Sequence, residues 1–458
     1  MNPTVSRDST PDYSPDVRDD GPLAPRRWRH IIPLVFVTYS LAYLDRANYG
    51  FGAAGGLAKS LGITSSVSAL LSALFFLGYF FFQIPGAHYA QKHGAKRLVF
   101  WALIIWGVLA SLTGVITNIP LLAIDRFLLG VVESVILPAM LVFLTAWFTS
   151  RERSRANTFL ILGNPVTVLW MSVISGFLIQ AVSWKGMFIL EGLPSIIWAF
   201  IWLKVAANRP VDATWLTPGA RQAVERALDR EQEGLAKVKN YWAAFRTPRV
   251  ILLALQYFFW SIGVYGFVIW LPSIIKHGSH LGFGATGLFA ALPYALAVIL
   301  MLAASYFSDR TMERKAFVWP FLLIGAVAFY ISYAVGAGNF WVSFIFLVIA
   351  GGCMYAPYGP FFAIIPEILP RNAAGESMAL INSLGALGSF VGAYVVGLLN
   401  GATGSPGAGF IFMAASLVLA AMLVLAAIFT MVVKMHAAPR TPSLSARPLR
   451  GGRSVPTV

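Results

Sequence analysis

The sequence predicts an all-α membrane protein with twelve transmembrane helices in two pseudo-symmetric six-helix bundles. Composition is the first reason, because 58% of the 458 residues are hydrophobic and only 12% are charged, against ~25% charged residues in a typical soluble domain. The second reason is the recurrence of apolar runs of ~20 residues, the length of a helix that crosses the hydrocarbon core of a bilayer. The third is a short basic loop that recurs at corresponding places in the two halves, as an internal duplication would leave it.

The apolar runs form two groups of six, separated by one long polar segment. The runs of the first half lie near 29–53, 66–90, 98–116, 119–148, 156–182 and 186–207. The runs of the second half lie near 249–275, 282–307, 316–336, 340–368, 374–399 and 408–434. We therefore predict a first bundle over 28–207, a cytoplasmic linker over 208–247 and a second bundle over 248–436. Within the linker, the charge pattern from Pro218 to Gly234 predicts an amphipathic surface helix.

Polar tails flank the two bundles. We predict that residues 1–27 and 437–458 form disordered cytoplasmic tails, since the first is rich in Pro, Asp and Ser and poor in apolar residues. The first tail lacks the basic, apolar and small-residue pattern of a cleaved signal peptide. We therefore expect the first span to remain as a helix of the mature protein.

Basic residues concentrate in alternate loops between the spans. This pattern follows the positive-inside rule, and it explains the net charge of +15 without a nucleic-acid partner. It predicts an even number of spans, both termini in the cytoplasm and a place in a bacterial-type inner membrane. The only cysteine, Cys353, excludes an internal disulfide and a zinc pattern based on cysteine. Since no nucleophile–base set, metal cluster or phosphate loop occurs, we predict no enzyme activity and no cofactor.

An acid and a base lie inside the first span. Asp45 and Arg46 belong to the apolar run that starts at Ile31, and Asp45 lies ~21 Å along a helix from that point, near the middle of the bilayer. Each charge costs at least ~2.5–3.5 kcal/mol at that depth on insertion scales. The pair therefore predicts a functional site. The alternative is a pair that locks two helices together.

A second acid and base lie in the fourth span. Arg126 and Glu133 are seven residues apart, nearly two helical turns, so both project from one helix face. The span starts outside at about Ile119, which puts Glu133 ~21 Å from the outer face, so that it lies, like Asp45, near the middle of the bilayer. We expect the four ionised side chains to share one water-filled chamber, in which the carboxylates exchange protons and the arginines bind a carboxylate substrate. The alternative for Arg126 and Glu133 is a structural staple.

Other polar or aromatic residues at similar depth are candidate chamber residues. Taken singly, each fits helix packing better than ligand binding, and the mid-span amides Asn164 and Asn382 are the better candidates because a buried amide requires a partner. The full set is Tyr43, Tyr79, Asn164, Gln256, Tyr265, Trp270, Tyr355, Tyr358 and Asn382.

Together these motifs make the chain similar to the major facilitator superfamily and, within it, to the anion:cation symporters. The resemblance covers the whole chain apart from the two tails. The motifs that carry it are Tyr43-Leu44-Asp45-Arg46-Ala47-Asn48, Gly78-Tyr79 with Gln83-Ile84-Pro85-Gly86, Arg126 with Gly130 and Glu133, Trp147-Phe148 before Arg151-Glu152-Arg153, Trp184-Lys185-Gly186-Met187-Phe188 with Glu191-Gly192, and Asn382 with Gly385 and Gly388.

The resemblance implies proton-driven uptake of organic anions by alternating access of the two bundles. It implies that Asp45 and Glu133 are the protonatable pair. The residues that it assigns to substrate binding or coupling are Arg46, Arg126, Tyr43, Tyr79, Asn164 and Asn382. The residues that it assigns to gating loops are Lys92, Arg97, Asp309 and Arg310.

One departure concerns the first inner loop. The superfamily pattern there is Gly-x-x-x-Asp-Arg-x-Gly-x-basic, but this chain has Gln91 in place of the aspartate and Ala87 in place of the glycine, whereas the second copy keeps Asp309-Arg310. The gating role of the first copy is therefore open. In lacking these two residues, the chain resembles the branch of the family that carries tartrate, aldonates and hydroxyphenylacetate.

The sequence thus predicts a monomeric symporter that imports a small carboxylate together with protons. One rival is a drug/proton antiporter of the same fold, but Leu162-Gly163-Asn164-Pro165-Val166 lacks the glycine run in the fifth span of such exporters. A second rival is a non-transporting membrane receptor.

Overall fold

The computed structural model describes residues 23, 25–232, 248–311, 313–368, 374–405 and 407–437. In these ranges the regular secondary structure is helical, and none of the described residues forms a strand. The predicted tails lie almost entirely outside the described residues.

The first half consists of helices that run back and forth through the predicted bilayer. They are α1 (Arg26–Gly52), α2 (Ser65–His93), α3 (Ala95–Thr113), α4 (Ile119–Glu133), α5 (Ile136–Thr145), α6 (Ser150–Ile161) and α7 (Gly163–Val205). A π-helical turn, Ala53–Leu57, and a short helical turn, Ala58–Ser60, follow α1. The first tail is predicted to extend through residue 27, but α1 begins at Arg26, and Arg27 is fully buried in an ion pair with Glu152.

The second half repeats this arrangement after a surface helix, α8 (Pro218–Gln232). This helix covers most of the predicted amphipathic segment, whose last residue, Gly234, lies outside the described residues. The helices of the second half are α9 (Pro248–Ser279), α10 (Phe283–Thr311), α11 (Trp319–Val335), α12 (Phe340–Tyr355), α13 (Tyr358–Ile368), α14 (Ala374–Thr403) and α15 (Gly407–Ala437). Short 3₁₀ turns occur at Pro210–Asp212, Arg314–Phe317 and Gly336–Asn339.

The described helices provide the twelve predicted crossings. Ten helical stretches are long and apolar enough to cross a membrane, and one of them, Arg155–Val205, has 51 residues. Ser183 divides that stretch into two crossings, because its φ of 66° and ψ of 174° interrupt the helix. The remaining crossing is α1, in which the charges of Asp45 and Arg46 lower the mean hydropathy.

The fourth span of each half contains a short turn, but each is one helical stretch long enough to cross the membrane, as the sequence predicts. In the first half, a turn separates α4 from α5 directly after Glu133. In the second half, the turn between α12 and α13 falls at Ala356 and Pro357, where proline supplies no backbone N–H for the helical ladder.

The two halves pack closely at the outer end of the molecule, the end that holds the 336–339 turn and faces outside in the predicted orientation. The contacts join α2 to α14, α7 to α10 and α1 to α9. Two of them require glycine. A Cβ on Gly287 would lie 2.3 Å from the backbone oxygen of Ser172, and a Cβ on Gly397 would lie 2.2 Å from the Cβ of Ala69. The halves are therefore in direct backbone contact at this end.

Candidate functional site

A chamber of about 380 Å³, including the space open to solvent, lies between the two halves. Aromatic rings and short polar groups form most of its wall. The lining residues are Tyr39, Arg46, Phe75, Phe76, Tyr79, Leu137, Asn164, Tyr257, Ser261, Tyr265, Asn382, Gly385, Ala386 and Ser389. Arg46 is the only charged residue among them, so the chamber combines one fixed positive charge with an aromatic surface.

Arg46 is held from two sides by residues of the first half. Its Nε donates a hydrogen bond to Glu133 Oε2 at 3.1 Å, and its Nη2 donates one to the hydroxyl of Tyr79, also at 3.1 Å. The guanidinium carbon lies 4.4 Å from the centroid of the Tyr79 ring. Because Arg46 is only 4% exposed and Glu133 is fully buried, this ion pair is shielded from solvent, and its guanidinium is already oriented for an anion in the chamber.

Asp45 faces away from the chamber, into the first bundle. Neighbouring residues of a helix point ~100° apart, and the rotation of α1 turns Arg46 toward the chamber and Asp45 away from it. The Oδ1 atom of Asp45 accepts a hydrogen bond from Asn48 Nδ2 at 3.3 Å, and the same nitrogen donates to Glu191 Oε2 at 3.0 Å. Ser175 Oγ donates to Glu191 Oε1 at 2.5 Å. These four residues form a buried polar network between α1 and α7.

Arg126 also lies inside the first bundle. It is 1% exposed, and its guanidinium carbon lies 4.9 Å from the ring centroid of Tyr49 and 5.5 Å from that of Phe75. Its Nε has no hydrogen-bond partner among the described residues. Phe75 lines the chamber, so one aromatic ring separates the Arg126 guanidinium from it.

The structure therefore does not place the four ionised side chains in one shared chamber. Arg46 lines the chamber, Glu133 contacts it through Arg46, and Asp45 and Arg126 lie behind the wall. The sequence places all four in the central part of the membrane, but it does not fix the direction in which each helix is rotated. The packing of α1 against α4 and α7 sets that rotation.

The other predicted site residues fall into three groups. Tyr79, Asn164 and Asn382 line the chamber, and Asn382 Nδ2 also donates a hydrogen bond to Gln83 Oε1 of the other half at 2.8 Å. Tyr43 is buried beside the chamber, where its hydroxyl lies 3.0 Å from that of Tyr355. Lys92, Arg97 and Arg310 are exposed at the predicted cytoplasmic end. The side chain of Asp309 lies outside the described part of the chain.

Two buried carboxylates, Glu191 and Asp125, do not appear among the predicted site residues. Glu191 is the acid inside the sixth predicted span, and the cost of a charge at that depth is the signal that would have identified it. Asp125, which directly precedes Arg126, accepts a hydrogen bond from Thr113 Oγ1 at 2.8 Å. In the described residues, no group of three or more His, Cys, Asp and Glu side chains is arranged to hold a metal ion.

Comparison with known proteins identifies the class to which this fold and chamber belong. The sequence model of the Major Facilitator Superfamily matches residues 35–393, and the chain belongs to this superfamily, as the sequence motifs predict. It is therefore a multi-pass membrane transporter and not an enzyme.

Individual relatives agree with this assignment. A protein of Agrobacterium vitis named as a candidate tartrate transporter is 33% identical over 398 residues, which cover 85% of this chain and 87% of the relative. A quinolone resistance transporter of Acinetobacter baumannii is 28% identical over 398 residues, covering 84% and 90%. The crystal structure of a D-xylose–proton symporter superposes with a TM-score of 0.70 at 14% identity, covering 86% of this chain and 97% of that one. The last comparison supports the fold alone.

Proposed function

We propose that this protein imports a small organic anion together with protons across a bacterial inner membrane. The observation that carries the proposal is the Arg46–Glu133 ion pair, whose guanidinium lines the chamber between the halves. The substrate classes that we propose are sugar acids, hydroxy-dicarboxylates and aromatic carboxylates. The Agrobacterium vitis relative is named for tartrate, a hydroxy-dicarboxylate, and this name supports the proposed substrate classes.

Competition for Arg46 explains how the anion and the proton would be coupled. A substrate carboxylate in the chamber and the carboxylate of Glu133 are rival partners of one guanidinium. A proton on Glu133 weakens its bond to Arg46 and frees the guanidinium for bidentate binding of the substrate. If the substrate entered without the proton, two carboxylates would share one cation in a region of low dielectric, which is costly. Anion and proton therefore bind together.

The other residues have supporting roles in the proposal. Asp45 is the second proton-exchanging group, and Arg126 provides a fixed positive charge in the same bundle. Tyr79, Asn164 and Asn382 hydrogen-bond the substrate from the chamber wall. Tyr43 contributes through its hydroxyl contact with Tyr355 of the other half.

Alternating access would expose the chamber to each side in turn. The outer end is closed by the packing of Gly287 and Gly397, so substrate release to the cytoplasm fits this conformation. In the proposal, the loops with Lys92, Arg97, Asp309 and Arg310 act as the gate at the cytoplasmic end, the protein works as a monomer, and no cofactor takes part beyond the proton gradient.

A drug/proton antiporter is the second candidate, and the quinolone resistance transporter among the relatives favours it. The two functions differ in the direction in which a proton gradient moves the substrate. An inward-directed proton gradient drives accumulation of the substrate by a symporter, but it drives efflux by an antiporter. A radiolabelled carboxylate that binds without accumulating would instead indicate a receptor.

Uptake by purified protein in proteoliposomes tests the proposal. With labelled tartrate, an aldonate and 4-hydroxyphenylacetate as probes, we expect an inward proton gradient to drive accumulation of at least one probe. The double substitution Asp45→Asn and Glu133→Gln should abolish accumulation, because no proton-exchanging pair remains. The matched control is Glu225→Gln with Asp229→Asn in the linker helix α8, which changes the same residue types outside the spans. Proton-driven accumulation that survives the first double substitution contradicts the mechanism.

A further inference from the structure

We propose that Glu191 is a third proton-exchanging carboxylate, which shares one proton with Asp45 across the amide of Asn48. The inference rests on the proposed proton coupling at Asp45 and extends it to a residue of a different helix. It starts from the bridge that Asn48 forms between the two acids.

The side-chain nitrogen of Asn48 lies between the two carboxylates. It is 3.3 Å from Asp45 Oδ1 and 3.0 Å from Glu191 Oε2. An amide nitrogen carries two hydrogens, so Asn48 can donate one to each acid. Asp45 and Glu191 are 1% and 4% exposed, respectively. The protonation of each carboxylate therefore depends on the charge of the other, because both share one donor in an environment shielded from solvent.

One cation, Arg126, acts on Asp45 from α4, but it forms no ion pair with either acid in the described residues. The charged groups that act electrostatically on Asp45 are Glu133 and Arg126 from α4 and Glu191 from α7. Within the described residues, neither Asp45 nor Glu191 takes part in an ion pair, whereas Glu133 has Arg46. Two negative charges on one amide would repel each other strongly in this environment. One proton for the two acids removes the repulsion.

The hydrogen bonds indicate which acid carries the proton in this conformation. Both oxygens of Glu191 accept hydrogen bonds, and the bond from Ser175, at 2.5 Å, has the short length typical of a hydroxyl that donates to an ionised carboxylate. Asp45 accepts the longer bond from Asn48, and its Oδ2 atom has no partner at hydrogen-bond distance among the described residues, although the indole N–H of Trp106 acts on the same carboxyl group. We therefore assign the negative charge to Glu191 and the proton to the carboxyl group of Asp45. When Asp45 loses that proton in another conformation, Glu191 is the group that can take it up.

Infrared spectroscopy of the purified full-length protein tests this pairing without any substrate. The signal is the pH-dependent C=O band of protonated carboxylic acids, measured for wild type, Glu191→Gln, Asp45→Asn and the double variant. We expect non-additivity, because two acids that share a proton titrate as a pair and the loss of either changes the titration of the other. The matched control is Glu191→Gln combined with Asp125→Asn. Asp125 is a buried acid bound to Thr113, so the two changes should add.

Additive changes for Glu191→Gln and Asp45→Asn would overturn the inference, as would a Glu191→Gln spectrum identical to that of wild type. Glutamine keeps the shape of the side chain and one of the two acceptor oxygens, so it can accept from Ser175 or from Asn48. A melting curve close to that of wild type confirms that the variant folds. If Glu191→Gln unfolds, Asn48→Leu replaces it and should change the titration of the pair, because the two acids then repel each other without the shared donor. A titration identical to that of wild type would overturn the inference.

Transport measurements distinguish a failure of this inference from a failure of the proposed function. We expect Glu191→Gln to retain exchange of labelled for unlabelled tartrate or 4-hydroxyphenylacetate, because exchange requires no net proton movement, and to lose proton-driven accumulation of the same probe. Retained accumulation would overturn the inference. If wild type accumulates none of the probes, the proposed function fails, and the infrared comparison still decides whether the two acids share a proton.

Discussion

Arg46 links the chamber to one buried carboxylate, that of Glu133. One face of its guanidinium packs on Tyr79, and its nitrogens contact the Tyr79 hydroxyl and Glu133. A cation that is fixed in this way loses little conformational entropy when an anion binds. The hydroxyl of Tyr79 should therefore contribute to affinity through the orientation of Arg46.

Tyr79→Phe tests this contribution. The substitution keeps the ring beneath the guanidinium and removes the hydrogen bond to a charged group, which is worth ~1.5 kcal/mol or more. We expect KM for the transported carboxylate to rise about tenfold, with little change in protein stability. The measurement is uptake against substrate concentration in proteoliposomes. Tyr89→Phe is the matched control, since Tyr89 is 48% exposed and stacks on His93 away from the chamber. An equal KM for the two variants would contradict this role of Tyr79.

At the scale of helices, the close contact of α7 with α10 holds the outer end shut. Gly287 allows α10 to approach the backbone of Ser172, and a methyl group at that position has no free space. A side chain there must move the helices apart, since the obstacle is a backbone oxygen and not the end of a flexible side chain. The opening of the outer end requires the same separation.

Gly287→Ala should therefore shift the protein toward a conformation that is open at the outer end. Spin labels at Lys59→Cys and His277→Cys, with Cys353→Ala to remove the native thiol, report the distance between the halves at this end. We expect a longer distance in Gly287→Ala than in its parent. Gly338→Ala is the control, because no atom lies within 4 Å of a Cβ at that position. An unchanged distance in a folded Gly287→Ala variant would show that the contact does not hold the end closed.

At the scale of the whole molecule, the orientation of the bundle decides which way the proton gradient acts. The basic loops predict that both ends of the chain are cytoplasmic, which requires an even number of crossings. The described helices provide this number only because Ser183 divides α7 and because α1 crosses in spite of its charges.

Reporter fusions in a bacterial host test this orientation. A green fluorescent protein fused after Ala437 should fluoresce, because this reporter folds in the cytoplasm. Alkaline phosphatase inserted in the 336–339 turn should be active, because it requires the oxidising periplasm. A dark fusion after Ala437 together with inactive phosphatase in the 336–339 turn would reverse the orientation and with it the proposed direction of transport.

The sequence alone determined the class of this protein. Apolar runs, alternating basic loops and a repeated inner loop sufficed for the twelve crossings in two halves, because the bilayer imposes a length and a charge pattern that each segment must satisfy independently. The same cost argument identified Asp45, Arg46, Arg126 and Glu133 as buried charges, since the depth of a residue can be counted along one helix.

Only the tertiary structure decided how those charges are grouped. Arg46 and Glu133 meet at 3.1 Å, but Asp45 points toward Asn48 and Glu191, and Arg126 lies behind Phe75. The rotation of a helix about its axis depends on the side chains of every neighbour, and residues such as Asp45 and Glu191 are far apart in the sequence. A count along one segment gives the depth of a charge in the membrane, whereas the direction in which it points follows from the packing of the whole bundle.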